Sequence, residues 1–177
     1  MKELLTRSPD ISLVSPSIER DAPIAVDWLA GEAGRNTLRL MGNTDEYNKP
    51  STVQEEQSRI QGFIKSTDQL TWMIQLQDKI VGTVWVNTVD ADHLPGPAVH
   101  IMIGDSGSRG KGVGKAAISS VIEYLKSTGN YEYLYSRHLV ANEPANKLLV
   151  DMGFVNMGPS YKDENNLLWQ NVKVDLL

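Results

Sequence analysis

Apolar positions along the chain alternate between short β-branched runs and longer stretches with a helical repeat. The short runs predict β-strands at 11–14, 70–76, 80–86, 99–103, 131–140, 154–157 and 167–174. The longer stretches predict a helix with Pro23 near its start, one opened by Ser51 and Gln54 as a capping box, one over 113–125, and one capped by Asn142. This order predicts a single α/β (α+β) domain over residues 1–177, with helices flanking one mixed sheet of about six to seven strands.

A glycine-rich turn lies between the predicted strand at 99–103 and the helix that follows it. The turn consists of Arg109, Gly110, Lys111, Gly112, Val113, Gly114 and Lys115. Glycines allow the backbone to turn so that several N–H groups point at one anion, and the helix start adds further unpaired N–H groups. Because three cations lie beside three glycines, the turn favours a phosphate-binding site over a flexible surface loop.

Two known phosphate motifs do not fit this turn. A Walker A loop ends in Gly-Lys-Ser/Thr, whereas Gly114 and Lys115 are followed by Ala116, which has no hydroxyl for Mg²⁺. A Rossmann fingerprint needs Gly-x-Gly-x-x-Gly near the first strand, whereas Gly110 and Gly112 are followed at the third position by Lys115. The sequence therefore disfavours both of these nucleotide-binding folds.

Composition narrows the class of protein. The chain has 177 residues, with 17 Lys plus Arg against 22 Asp plus Glu, and it contains no cysteine. The lack of cysteine excludes disulfides, thiolate metal sites and a cysteine nucleophile. The formal net charge of -5 disfavours nucleic acid as a partner, and no apolar run approaches the roughly 20 residues that span a bilayer. We therefore expect a cytoplasmic protein with neither a nucleic-acid nor a membrane partner.

Two blocks of sequence resemble the GNAT superfamily of N-acetyltransferases. The first, Arg109-x-x-Gly112-x-Gly114, is similar to its acetyl-coenzyme A signature, Gln/Arg-x-x-Gly-x-Gly/Ala. The second block follows about thirty residues later and is similar to Asn-x-x-Ala-x-x-Leu-Tyr-x-x-x-Gly-Phe. Its matching positions are Asn142, Ala145, Leu148, Leu149, Gly153 and Phe154. The resemblance covers nearly the whole chain, and the pattern is most like the aminoglycoside and ribosomal-protein N-terminal acetyltransferase branches.

The resemblance implies acetyl-CoA as co-substrate and implies where it binds. Backbone N–H groups of 109–114 are expected to hold the pyrophosphate, and main-chain groups of Ile101 and Ile103 to pair with the pantetheine arm. One of these N–H groups can also polarise the thioester carbonyl. The full set of expected cofactor contacts is Ile101, Ile103, Arg109, Gly110, Lys111, Gly112, Val113, Gly114, Lys115, Asn142 and Asn146.

The chain departs from the superfamily at both usual donors of a proton to the leaving thiolate. Many members have a tyrosine where this chain has Leu149, and some ribosomal-protein N-terminal acetyltransferases have a serine where it has Ala145. Tyr135 and Ser136 are alternative donors, and water or the substrate are others. These departures keep a second function open, a non-catalytic acyl-CoA-binding sensor with the same fold.

His100 is the expected general base. An alkylammonium has an ordinary pKa of about 10.4 and must lose a proton before it attacks. The strand at 99–103 resembles the corresponding strand of aminoglycoside acetyltransferases, in which an aspartate base stands in place of His100. An imidazole, with an ordinary pKa of about 6.5, suits that task; the alternative is a histidine hydrogen-bonded at a strand edge. His138 is the second choice and His93 lies in a predicted loop, and because the histidine spacing matches no common ligand pattern, no metal is expected.

The acceptor is expected to be a primary amine of a small molecule or of a protein N-terminus, attacking the thioester directly in a ternary complex. The lack of a cysteine for an acyl-enzyme favours this route. In the superfamily the first helices and the loop after them form the acceptor cleft, which corresponds to 28–48 here. Asp45, Glu46 and Tyr47 form either a cation-accepting cluster or a solvated acidic loop. Trp169 lines the cleft or packs beneath the last strands, which are also candidates for pairing in a homodimer.

Overall fold

The computed structural model describes residues 3–44, 49–91 and 93–177. A 3₁₀ turn at Ser106–Ser108 precedes the fourth helix. The elements confirm the predicted α/β (α+β) class. In chain order they are β1 (Leu4–Leu5), β2 (Ile11–Val14), α1 (Ile18–Leu29), α2 (Gly31–Leu40), α3 (Val53–Lys65), β3 (Gln69–Leu76), β4 (Lys79–Asn87), β5 (Ala98–Ile103), α4 (Val113–Thr128), β6 (Tyr133–Leu139), α5 (Glu143–Asp151), β7 (Val155–Asn156), β8 (Tyr161–Lys162) and β9 (Leu168–Asp175).

The strands of the described residues form one mixed sheet of nine strands. Its order is β1-β2-β3-β4-β5-β6-β9-β7, and β8 pairs with β9. Every pairing is antiparallel except the one between β5 and β6. Six strands have four residues or more and lie where the sequence predicts them. The unpredicted strands β1 and β8 have two residues each, too few for an alternating pattern.

Successive side chains of β5 point to opposite faces of the sheet. They pack against α4 on one face and against α1 on the other. On one face α4 packs against Val99, Ile101 and Ile103 of β5. On the opposite face Trp28 of α1 packs in a cluster with Met102, the intervening residue of β5. The stripe predicted over 113–125 is confirmed, and its buried members include Val113, Ala117, Ile118, Val121 and Leu125.

Two helices begin at positions other than the predicted ones. The Ser17 hydroxyl caps the first turn of α1, so Pro23 lies inside this helix and not near its start. In α3 the cap is Thr52, and the capping box is completed by Glu55 instead of Gln54, one residue later than predicted. The Glu55 carboxylate accepts a hydrogen bond from the Thr52 N–H at 2.7 Å. A charged acceptor makes the stronger bond, which explains the shift of one residue.

The segment after α1 is more helical than its glycines suggest. Gly31 and Gly34 interrupt the apolar repeat and predict only a short turn over 37–41, yet α2 runs from Gly31 to Leu40. Its last turn reaches the region where β5 and β6 separate, as described below. No helix in the described ranges combines the length and the apolar character that crossing a membrane requires.

Candidate active site

Strands β5 and β6 separate soon after they meet. In the described structure their parallel ladder consists of one pair, Ala98 with Tyr135. The Tyr135 N–H donates to the Pro97 carbonyl at 2.9 Å, and the Ser136 hydroxyl donates to the Val99 carbonyl at 2.8 Å. Main-chain groups of alternate residues point to the same side of a strand. The main-chain groups of Ile101 therefore point from β5 into the gap.

A cavity of about 190 Å³ occupies this gap. Both faces of the sheet contribute to its wall, because the gap interrupts the sheet between β5 and β6. Leu40 at the end of α2 and Asn142 at the start of α5 are also part of the wall. Its lining includes His100, Ile101, His138, Asn142, Leu149 and Trp169. The structure thus brings together residues that the sequence predicts separately as base, cofactor contact and cleft wall.

The glycine-rich turn leads into α4 beside this cavity. Gly110 and Gly112 have φ angles of 72° and 80°, in the left-handed region that favours glycine. Gly112 is the N-cap of α4 and supplies no side chain to cap the first N–H groups of the helix. Lys111 and Lys115 are exposed on either side of it. The backbone N–H groups and positive dipole end of α4 are thus in the arrangement that binds an anion.

The side chains of Arg109 and Asn142 bind the protein itself. Arg109 donates from Nε to the Ile103 carbonyl at 3.0 Å and from its Nη2 to the Thr37 hydroxyl at 2.8 Å. Asn142 accepts at Oδ1 from the Ala145 N–H at 3.2 Å. Its Nδ2 donates to the Leu40 carbonyl at 3.0 Å. The first residue of each signature block therefore holds the end of α2 against the site.

Asp105 anchors the entrance to the glycine-rich turn. Its carboxylate accepts hydrogen bonds from the Lys79 ammonium at 2.7 Å and from the Ser108 hydroxyl. The bond from Lys79, followed by that from Ser108, lowers the pKa of Asp105 below its ordinary value near 3.8. A carboxylate that is ionised at neutral pH thus ties the turn to β4.

His100 lies on the face of the sheet that carries α1. Its ring stacks on Trp85, its partner on β4, with ring centroids 5.2 Å apart and an interplanar angle of 16°. Its Nε2 lies 3.5 Å from the Nδ2 of Asn87. The half-buried imidazole lines the cavity. Ile101 and the glycine-rich turn, which are the expected cofactor contacts, lie on the opposite face with α4. The position of His100 therefore suits a base that meets the acceptor rather than the cofactor.

The family comparison agrees with this geometry. The family model for the GNAT acetyltransferase domain matches residues 13–155. The chain belongs to the GNAT acetyltransferase family. Its domain is therefore of the acetyltransferase type, and the match spans both signature blocks. The comparison with curated proteins gave no match.

Solved acetyltransferase structures share the fold of this GNAT domain at low sequence identity. The microcin C7 self-immunity acetyltransferase MccE, in complex with acetyl-CoA and AMP, is 18% identical with a TM-score of 0.76, covering 95% of this chain and 93% of that chain. The ribosomal L7/L12 alpha-N-protein acetyltransferase RimL, in complex with coenzyme A, is 14% identical with a TM-score of 0.79, covering 98% of each chain. Spermidine N-acetyltransferase from Vibrio cholerae, in complex with CoA and spermine, is 16% identical with a TM-score of 0.74, covering 96% and 97%.

Two departures from the GNAT pattern lie in the cavity wall. Leu149 is buried against the core and lines the cavity together with Ala145. Of the alternative donors, Ser136 gives its hydroxyl proton to the Val99 carbonyl. Tyr135 is on the face opposite Leu149, next to Tyr133 with ring centroids 6.2 Å apart. The cavity thus lacks a hydroxyl at the positions where GNAT enzymes usually have one.

The side of the cavity that carries His100 is aromatic. Trp169 is buried and lines the cavity, and its Nε1 donates to the Asp163 carboxylate at 2.9 Å. The Arg137 guanidinium lies 4.2 Å from the centroid of the Trp169 ring. Trp85 also lines the cavity, whereas Trp72 is fully buried in the core. The predicted cluster of Asp45, Glu46 and Tyr47 lies outside the described residues.

The sequence places Thr37 and Leu40 within the predicted cleft wall at 28–48 but does not predict their individual contacts. They contact Arg109 and Asn142 across 72 and 102 residues of chain, so no local motif marks them.

His93, the third histidine, lies beside Tyr161 with ring centroids 6.3 Å apart and does not line the cavity. Asn146 is exposed on α5. Within 3–44, 49–91 and 93–177, no three metal-ligating side chains are grouped.

Proposed function

We propose that this protein transfers the acetyl group of acetyl-CoA to a primary amine by direct attack in a ternary complex. The observation that carries the proposal is the gap between β5 and β6, which lies next to the glycine-rich turn and opens a cavity lined by His100. An acyl-enzyme would need a nucleophile, and the chain has no cysteine to supply one. The geometry therefore favours two substrates that meet in the gap.

Acetyl-CoA would bind along the α4 face. The N–H groups of 109–114 would hold the pyrophosphate, supported by the left-handed Gly112 at the start of α4. The exposed cations Lys111 and Lys115 add charge beside it. Main-chain groups of Ile101 and Ile103 would pair with the pantetheine arm. Asn142 would meet that arm through its main chain, because both ends of its side chain bind the protein, and Asn146 would lie toward the far end of the cofactor.

The amine would enter from the opposite face, where His100 acts as general base. Its ring is held by Trp85 and has access to the cavity, and it would take a proton from the ammonium form of the acceptor. The solved relatives act on a protein N-terminus and on spermidine by their names. We therefore propose a primary amine of a small molecule or of a protein N-terminus as acceptor. A homodimer and a cytoplasmic location stay predictions from the sequence.

The test begins with calorimetric titration of acetyl-CoA, with ATP and NAD as controls, followed by turnover with a panel of primary amines. We expect selective acetyl-CoA binding and acetylation of at least one amine. His100→Ala should lower kcat by about tenfold or more while leaving the Kd of acetyl-CoA unchanged. His93→Ala is the matched control and should leave both values unchanged, because His93 does not line the cavity. Unchanged kcat in His100→Ala would remove His100 as the base.

The second candidate is a non-catalytic acyl-CoA-binding sensor. Leu149 and Ala145, which leave the cavity wall without the usual hydroxyls, are the observation that favours it. The same two measurements separate the candidates. Tight acetyl-CoA binding without acetylation of any amine in the panel would select the sensor and reject the enzyme.

A further inference from the structure

His138 is a buried histidine that the mechanism above does not use. It is the sixth residue of β6, only 6% exposed, and it lines the cavity between β5 and β6. Alternate residues of a strand share a face, so His138 shares the face of Leu134, which packs in the same cluster as α4. His138 therefore lies on the cofactor face of the sheet, and His100 lies on the acceptor face.

The hydrogen bond of His138 determines which ring nitrogen carries the proton. Its Nδ1 lies 2.9 Å from the Leu139 carbonyl. A carbonyl oxygen only accepts, so Nδ1 is the protonated nitrogen and Nε2 of the neutral ring carries a lone pair. The arrangement prepares Nε2 to accept a proton, and the Leu139 carbonyl stabilises the cation that forms.

Nε2 of His138 has no hydrogen-bond partner among the described residues, although it is buried. An unsatisfied buried polar atom costs free energy and calls for an explanation, of which a catalytic role is one. His138 shares the wall of the cavity with Leu149, the position at which GNAT enzymes often have the tyrosine that protonates the thiolate. His138 therefore lies beside the region in which the CoA sulfur is expected, with Nε2 as its one nitrogen that has no partner among the described residues.

We propose that Nε2 of His138 relays a proton from the attacking amine to the leaving CoA thiolate, and so takes over the role of the tyrosine that Leu149 replaces. The proposal rests on the proposed function. His100 first takes one proton from the ammonium group and passes it to solvent. The neutral amine then attacks the thioester carbon, and a C–N bond forms.

The second proton of the amine nitrogen then balances the reaction. It moves to Nε2 of His138, the C–S bond breaks, and its electron pair leaves on sulfur. Nε2–H then protonates the thiolate. The products are an amide and free CoA, and His138 returns to its neutral form. His100 thus takes the first proton from the α1 face of the sheet, and His138 transfers the second proton from the α4 face.

His138→Asn is the decisive variant. The asparagine amide keeps an N–H near the position of Nδ1 for the Leu139 carbonyl and removes Nε2. We expect kcat to fall by about 100-fold, while the Kd of acetyl-CoA changes by less than about twofold. His93→Asn is the matched control and should retain native kcat. A His138→Asn enzyme with kcat within about threefold of the native value would overturn the proposal.

Two measurements on the native protein do not depend on this variant. Nitrogen NMR of the His138 ring should show protonated Nδ1 and unprotonated Nε2; the opposite tautomer would overturn the proposal. The native protein should also bind CoA about threefold or more tightly than desulfo-CoA, because the thiol donates to Nε2. Equal affinities for the two compounds would overturn it as well.

These readouts separate the proposal from the proposed function. If the native protein acetylates no amine, the proposed function fails, and the comparison of CoA with desulfo-CoA still decides whether Nε2 meets the sulfur. If the native protein is active and His138→Asn is equally active, only the relay fails. A His138→Asn protein that does not fold leaves the decision to the two measurements on the native protein.

Discussion

Gly112 shows how one residue can set the course of the glycine-rich turn. It stands at the N-cap of α4 with φ of 80°, and a Cβ added there would meet nothing within 4 Å. The glycine is therefore required by backbone conformation and not by space. Its φ angle directs the chain so that the first N–H groups of α4 and those of the preceding turn converge. The proposed binding of the pyrophosphate would depend on that convergence.

We predict that Gly112→Ala weakens acetyl-CoA binding, by about tenfold in Kd, because alanine resists the left-handed conformation and displaces the N–H groups. Gly129→Ala is a matched control: Gly129 caps the other end of α4 with φ of 66° and equally open surroundings. Both variants should lose about 1 kcal/mol of unfolding free energy. Titration calorimetry and chemical denaturation measure the two effects. An equal loss of affinity in both variants would contradict the prediction.

At the scale of elements, the turn from α1 to α2 depends on the close approach of Gly34 to the backbone of Leu29. A Cβ at Gly34 would lie 2.1 Å from the Leu29 carbonyl carbon, which is backbone and cannot rotate away. Gly34 thus allows α2 to fold back directly after α1. This placement carries Leu40 to the cavity, where it is part of the wall. The glycine that weakens the helical pattern in the sequence is the residue that lets α2 pack.

Gly34→Ala should lower the free energy of unfolding by about 2 kcal/mol or more, because backbone must move to admit the methyl group. Gly62→Ala is the control within a helix. Gly62 is exposed in α3 and a Cβ there would meet nothing within 4 Å, so the variant should gain about 0.5–1 kcal/mol from helix propensity. Thermal and denaturant unfolding of both variants test this, and a stable Gly34→Ala protein would show that α2 can repack.

At the scale of the whole molecule, the first residues of the two signature blocks hold the end of α2 beside the cavity. Arg109 reaches Thr37 and Asn142 reaches the Leu40 carbonyl, so residues from the second half of the chain hold the end of α2 in the first half. Because these residues precede α4 and α5, respectively, the bonds would link the proposed cofactor face with the proposed wall of the acceptor cleft. Loosening α2 should affect the acceptor more than acetyl-CoA.

Asn142→Asp isolates this link. The aspartate keeps an oxygen that accepts a hydrogen bond from the Ala145 N–H. It has no N–H group that could donate to the Leu40 carbonyl. We expect the KM for the amine to rise about fivefold with an unchanged Kd for acetyl-CoA. Thr37→Val, which removes the partner of Arg109 on the same helix, should act in the same direction. A weaker acetyl-CoA Kd with an unchanged amine KM would instead identify the Asn142 side chain as a cofactor contact.

Local patterns in the sequence predict much of this protein. The six longer strands, the glycine-rich turn at 109–115 and the helix capped by Asn142 follow from periodicity and from residues with strong backbone preferences. Predictions that rest on competing local signals were less accurate. Ser51 and Thr52 both offer a hydroxyl, and only the reach of Glu55 decides which one caps α3. The two-residue strands β1 and β8 leave no periodic signal, because pairing with neighbours alone creates them.

The sequence by itself determined the fold class, the family and the glycine-rich turn, since each rests on residues close together along the chain. Only the tertiary structure decided how the distant residues meet. It placed His100 and His138 on opposite faces of one gap, and it brought Thr37 and Leu40 to residues far along the chain. The physical reason is that alternation along a strand is local, whereas the separation of β5 from β6 and the packing of α2 arise from contacts between distant segments.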